Sequence, residues 1–149
     1  MTAATLFPLE GGCHCGAGKI RFVSSRPPHA LVPRADQCSF CRKHNAAVVS
    51  DPDGQLEILI SQQAGAPYRF GLHITDFHIC GHCGVFVAAS WSDAQQRRGV
   101  VNIHALVDRA SLSHAQVAVD FDGEDIAARE ARRRRHWTPA RVLHQPDRM

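Results

Sequence analysis

Residues 11–22 read GGCHCGAGKIRF. The first half of this stretch is a C-x-C pair, Cys13 and Cys15, with glycine on both sides. The second half alternates, with Ile20 and Phe22 on one side and Lys19 and Arg21 on the other. Alternation with period two marks a strand with one buried face. Two cysteines this close can give two thiolates to one metal ion, which is half of a tetrahedral site. The stretch therefore predicts β-structure fastened by a metal, and it demands a second pair of ligands elsewhere in the chain.

Two further pairs exist, CSFC (Cys38, Cys41) and CGHC (Cys80, Cys83). Six cysteines in three pairs also admit a disulfide framework. That account is weak, because a bridge between residues 13 and 15 closes a small, strained ring. A chain of 149 residues is also long enough to bury one domain's core without covalent staples. Metal ligation is the better account.

The alternation continues beyond the opening stretch. KIRFVS, NAAVVSD, QLEILIS, APYRFG, ITDFHIC, GVFVAASW and GVVNIHALV follow one another at short intervals, separated by turns such as DPDG (residues 51–54). RPPHALVPRADQ carries three prolines and excludes a helix. Six or seven strands without a βαβ rhythm predict a mainly β fold of antiparallel sheets. One helix is expected, near the end, in GEDIAAREARRRRHW, with acids in its first turns and arginines in its last. The RRRRH run reads as the solvated end of that helix, with a phosphate-binding patch as the functional alternative. No linker or repeat divides the chain, so a single domain spans 1–149, with a core at about 10–123 and a C-terminal helical extension over 124–149.

Composition narrows the function. Apolar residues make up 44% and charged residues 21%, which suits a folded globular chain rather than a disordered one. A net charge of +3 is too small to announce a nucleic-acid partner. MTAATLFPLEGG shows no basic, apolar leader, and no run reaches the ~18 apolar residues of a membrane helix. A cytoplasmic location without membrane contact is the expectation.

Spacing alone lets the three pairs combine in three ways. Glycine helps to choose. Cys80 and Cys83 have Gly81 and Gly84 beside them, and Cys13 and Cys15 are glycine-framed too, as tight metal knuckles require. The middle pair has an acid before it, Asp36, and RKH after it. The two framed pairs suit a closed structural site, and the middle pair is the odd one.

These residues carry a resemblance. GGCHCGAGKIRF, CSFCRK, HICGHCG, VVNIHALVD and DFDGE together resemble the glutathione-dependent formaldehyde-activating enzyme family, which includes the centromere protein V group. The similarity runs over roughly residues 10 to 123. It implies a β-tent built around a structural zinc held by Cys13, Cys15, Cys80 and Cys83. It also implies a second zinc held by C-x-C-x-x-C with an open fourth position. Cys38 and Cys41 match two of those cysteines, and Asp36 stands where the third would be.

Asp36 admits three readings. It can ligate the second zinc through oxygen, keeping the formal charge of a thiolate; the pair can hold no metal, with Asp36 an ordinary loop residue; or His44 can complete the set. The sequence identifies no general base; water on the metal, or His44 where it is not a ligand, is the candidate. The family's activity implies a zinc-dependent carbon–sulfur lyase acting on adducts of a small, glutathione-like thiol with an aldehyde such as formaldehyde. The rival is a non-catalytic zinc-stabilised binding module whose second site is degenerate. A nucleic-acid partner is disfavoured, and a homo-oligomer joined through a sheet edge is left open.

Other residues are weighed more lightly. Arg42 and Lys43 are placed to hold an anionic substrate or to be plain surface charge. Ala46 and Val85 depart from the family's usual residues and bear on pocket shape. His14 and His82 lie within the knuckles and are expected at the surface, His104 at a surface or core edge, and Trp91 and Trp137 in packing.

Overall fold

The computed structural model describes residues 5–61 and 65–145. Strand accounts for 39% and helix for 19%, so the class is mainly β. Among the described residues ten strands form one open mixed sheet: β1 (Phe7–Gly12), β2 (Gly18–Ser24), β3 (Arg34–Asp36), β4 (Val48–Val49), β5 (Gln55–Ser61), β6 (Asp76–Ile79), β7 (Phe86–Ser92), β8 (Arg97–Asn102), β9 (Val117–Val119) and β10 (Thr138–Gln145). Two α-helices, α1 (Ser39–His44) and α2 (Ile126–His136), and three single-turn 3-10 helices, at Pro28–Ala30, Ile103–Ala105 and Arg109–Ser111, complete the described fold.

The sheet forks at β8. One edge of β8 pairs antiparallel with β7. The other is shared, with Arg98 and Gly99 facing β10 and Val101 and Asn102 facing β4. From β10 one arm continues through β5 and β2 to β1, and from β4 the other runs through β3 to β9. Most pairings are antiparallel, as the short turns predict. Two are parallel, β10 with β5 and β3 with β9, because long excursions return each later strand in the direction of its neighbour.

Burial follows the alternation. In β2, Gly18, Ile20, Phe22 and Ser24 are buried while Lys19 and Arg21 are exposed. Phe22 meets Leu56 and Ile58 of β5, Val49 of β4 and Val101 of β8 in the main core. β7 is buried at six consecutive positions, as expected of a strand covered on both faces. Gly11 must be glycine, since a Cβ there would collide with the Ala105 carbonyl oxygen where β1 bridges to Leu106.

The structure corrects the expected end of the chain. A helix does form at 126–136, capped by the Asp125 carboxylate, which accepts from the Ala128 N–H (2.7 Å). Residues 138–145, however, are not a helical extension. They form β10, which lies inside the sheet between β5 and β8, so the core does not stop near residue 123. The turn of sequence at Trp137-Thr138-Pro139 ends the helix, since proline cannot continue it. APYRFG is not a strand and contributes only a bridge from Tyr68 to Phe77. Among the described residues no helix is long and apolar enough to cross a membrane.

Candidate metal centre and the neighbouring cavity

The two glycine-framed pairs come together. Cys13 and Cys15 lie in the turn between β1 and β2, and Cys80 and Cys83 in the turn between β6 and β7. Both turns are built alike. The Cys13 N–H donates to the Gly18 carbonyl (2.9 Å) and the Cys80 N–H to the Val85 carbonyl (3.0 Å), closing each loop. The glycine after the second cysteine takes a left-handed conformation in each, Gly16 at φ 85° and Gly84 at φ 78°. Glycine adopts that region without the penalty of a Cβ.

The four sulfurs all lie within 4.8 Å of one another. Cys15 Sγ is 3.7 Å from Cys13 Sγ and 3.5 Å from Cys80 Sγ. Four thiolates bound tetrahedrally to zinc at ~2.3 Å would sit about 3.8 Å apart, so the cluster fits such an ion. Backbone amides already point at the sulfurs, from Gly18 to Cys13 (3.2 Å) and from His82 and Cys83 to Cys80 (both 3.4 Å). Those donors favour thiolate over thiol. The thiols also compete with one another. The Ala17 amide draws the Cys15 pKa down, but sharing with Cys80, burial, and the Cys13 and Cys83 thiols carry it up to about 11. A divalent cation is the charge that lets all four ionise together. His14 and His82 are exposed beside the cluster, as expected.

The middle pair sits elsewhere. Asp36 ends β3, Cys38 caps α1, and Cys41 is buried within that helix. The Cys41 N–H donates to Cys38 Sγ (3.4 Å), and the Asp36 Oδ1 accepts from the Cys38 N–H (2.8 Å). Hydrogen bonding from Cys41 holds the Cys38 thiol below its ordinary value, while the same interaction, burial and the nearby negative charges push Cys41 far up. The pair thus favours one thiolate and one thiol. Asp36, Cys38 and Cys41 do not draw together into a ligand cluster of the kind the other four cysteines form. Their donor chemistry suits a metal, since a ligating carboxylate can accept an amide bond on its second oxygen.

All three line a cavity of about 210 Å³. Its apolar wall includes Phe70, Phe77, Phe86 and Trp137, and its polar wall includes Arg34, Arg129, Arg132 and Arg133. Ala46 lines it as well, whereas Val85 packs against the main core. The other candidates fall outside. His44 is exposed, its ring 4.4 Å from that of Phe40 and 5.8 Å from that of Phe86, and it does not line the cavity. Arg42 and Lys43 are exposed surface charges. His104 is exposed too, and its ring bonds the Asn45 carbonyl (2.8 Å) and Arg109 (2.6 Å). Trp91 and Trp137 are packing residues in the second core cluster.

The RRRRH run is not simply a solvated helix end. Arg132 pairs with Glu124 (2.9 Å) and lies over the Phe121 ring, Arg134 pairs with Asp93 (3.2 Å), and Arg133 is buried. Only its position in an amphipathic helix, packed over the cavity, separates Arg133 from its neighbours.

No family model matches the chain. A crystal structure of a protein from Rhodobacter sphaeroides, a structural-genomics target, is similar at 24% identity. The match covers 73% of this chain and 97% of that one, with a TM-score of 0.48.

Proposed function

We propose that the chain is a zinc-dependent carbon–sulfur lyase acting on adducts of a small, glutathione-like thiol with an aldehyde, of the glutathione-dependent formaldehyde-activating type. In this reading Cys13, Cys15, Cys80 and Cys83 hold a structural zinc. Asp36, Cys38 and Cys41 would hold a second. The observation that carries it is that these three residues line the aromatic and arginine-walled cavity. A purely structural site needs no cavity, whereas a lyase needs reactive ligands that open onto one.

Zinc bound by the second set would supply Lewis-acid polarisation of the aldehyde oxygen. The chain's own residues do the rest. The aromatic wall of Phe70, Phe77 and Phe86 keeps bulk water from the aldehyde, and the arginines favour an anionic thiol compound. In the synthetic direction the thiol sulfur bonds to the aldehyde carbon, the carbonyl π-bond breaks, and the thiol proton ends on the hydroxyl oxygen. The lyase direction reverses this.

Exchange spectroscopy by NMR tests the proposal, with formaldehyde and glutathione equilibrating with their S-hydroxymethyl adduct. The expected result is exchange faster than in buffer, lost in the folded Cys38→Ser/Cys41→Ser variant. Exchange at the buffer rate, with zinc-replete protein, would overturn it. The loose arrangement of Asp36 against the two cysteines favours one alternative, a zinc-stabilised binding module with a degenerate second site.

A further inference from the structure

Arg133 is 4% exposed, and its side chain makes no ion pair or hydrogen bond among the described residues. Its Nε and Nη1 are sealed from solvent without an acceptor. The Glu124 carboxylate pairs with its neighbours Arg132 and Arg129, at 2.9 and 3.6 Å. The guanidinium lies over the Trp137 ring, 4.4 Å from its centroid. A cation–π contact of that kind offsets only part of the cost of burying an unpaired cation, so the ring does not balance the charge.

A second guanidinium shares the problem. Arg34 lines the same cavity and, among the described residues, its side chain donates only to the neutral Ser50 hydroxyl (2.8 Å), which in turn donates to the His136 carbonyl (2.6 Å). Burial draws the Arg133 pKa down to about 9, helped by Arg132 and Arg129 and opposed by Glu124 and Asp36. One buried guanidinium and one half-buried one, neither in an ion pair among the described residues, therefore face one cavity. Four arginines line it against two carboxylates, Asp36 and Asp122, which leaves an excess of positive charge for a ligand to meet.

We propose that this cavity is a binding site for a small organic carboxylate, seated with its charge against Arg133 and Arg34 and its apolar body against Phe70, Phe77 and Phe86. The acidic residues of the cavity set the ligand's charge. Asp36 and Asp122 also line it, and they limit the negative charge the site favours. An organic carboxylate fits better than inorganic phosphate because it carries an apolar body that Phe70, Phe77 and Phe86 can cover. The site does not rest on the lyase reading, since nothing in it requires a metal at Cys38 and Cys41.

The test titrates the full-length protein with benzoate, benzyl alcohol and inorganic phosphate, following tryptophan fluorescence and the melting temperature. Saturable quenching by benzoate and a raised melting temperature are expected, with benzyl alcohol and phosphate at least ~10-fold weaker, the ratio of a charge-assisted bond. Arg133→Met should fold, because it replaces a buried charge by an apolar chain of similar length, and should bind benzoate at least ~10-fold more weakly. Arg133→Lys keeps the charge and should retain part of the affinity, whichever way the first variant folds. Benzoate no better than benzyl alcohol, or unchanged in Arg133→Met, overturns the proposal. Phosphate binding more tightly than benzoate overturns the carboxylate assignment.

Discussion

Asp36 turns its Oδ1 onto the backbone N–H of Cys38, 2.8 Å away, and so folds the loop that delivers Cys38 to the head of α1. The carboxylate thus has a structural task whether or not it also meets a metal. Two tasks can be separated by counting zinc. Protein purified without added metal is expected to carry two zinc ions per chain by elemental analysis, falling to one in Cys38→Ser/Cys41→Ser. Asp36→Ala should lose the second ion while keeping the first. A single zinc in all three proteins would leave the binding-module reading standing and remove the lyase.

Cys15 and Cys80 are 65 residues apart in sequence and 3.5 Å apart at sulfur. Their shared ion would tie the β1–β2 turn to the β6–β7 turn, closing one end of the forked sheet. Cys80→Ser should therefore abolish metal binding at this site and lower the melting temperature by on the order of 10 °C. A strong chelator should do the same to the wild type. A variant melting within a degree or two of the parent, with its zinc retained, would refute the four-cysteine assignment.

Asp51 is buried and accepts four hydrogen bonds, from the Ser24 hydroxyl (3.3 Å), the Ser25 N–H and hydroxyl (both 2.7 Å) and the Asp53 N–H (3.0 Å). Burial pushes its pKa up, but the donors outweigh burial and hold it below the ordinary carboxylate value. A depressed carboxylate stabilises the fold fully above its unfolded pKa of about 3.9, and that contribution is lost as pH falls below it. Urea unfolding should show a stability that declines below about pH 4 more steeply in the wild type than in Asp51→Asn. The variant should also be about 1–3 kcal/mol less stable at neutral pH. Parallel pH curves for the two proteins would show that the carboxylate's charge is not what the four donors stabilise.

Removing residues 138–149 tests the place of the last strand. The Thr138 hydroxyl accepts the Asp51 N–H (2.7 Å), Ala140 and Val142 pack against the main core, and β10 bridges β5 to β8. The truncated chain should lose its cooperative thermal transition in far-UV circular dichroism. A sharp transition near the wild-type temperature would show that the sheet closes without β10.

Local pattern determined much of this protein. The alternation of Ile20 and Phe22 marks the buried face of β2, the glycines after Cys15 and Cys83 mark two tight knuckles, and the acids and arginines around Ile126–His136 mark a helix. Each of these signals arises within a few residues, from backbone sterics and the period of a strand or helix, so sequence order carries it. Tertiary structure decided the rest. Thr138–Gln145 has no pattern that separates it from a frayed tail, and it becomes a strand only because β5 and β8 leave an edge for it. Arg133 is one of four successive arginines, and only the packing of α2 over the cavity buries it while its neighbours find carboxylates or solvent. Whether Asp36, Cys38 and Cys41 act together depends on where β3 ends and α1 begins in space, a distance that adjacency in the chain does not determine.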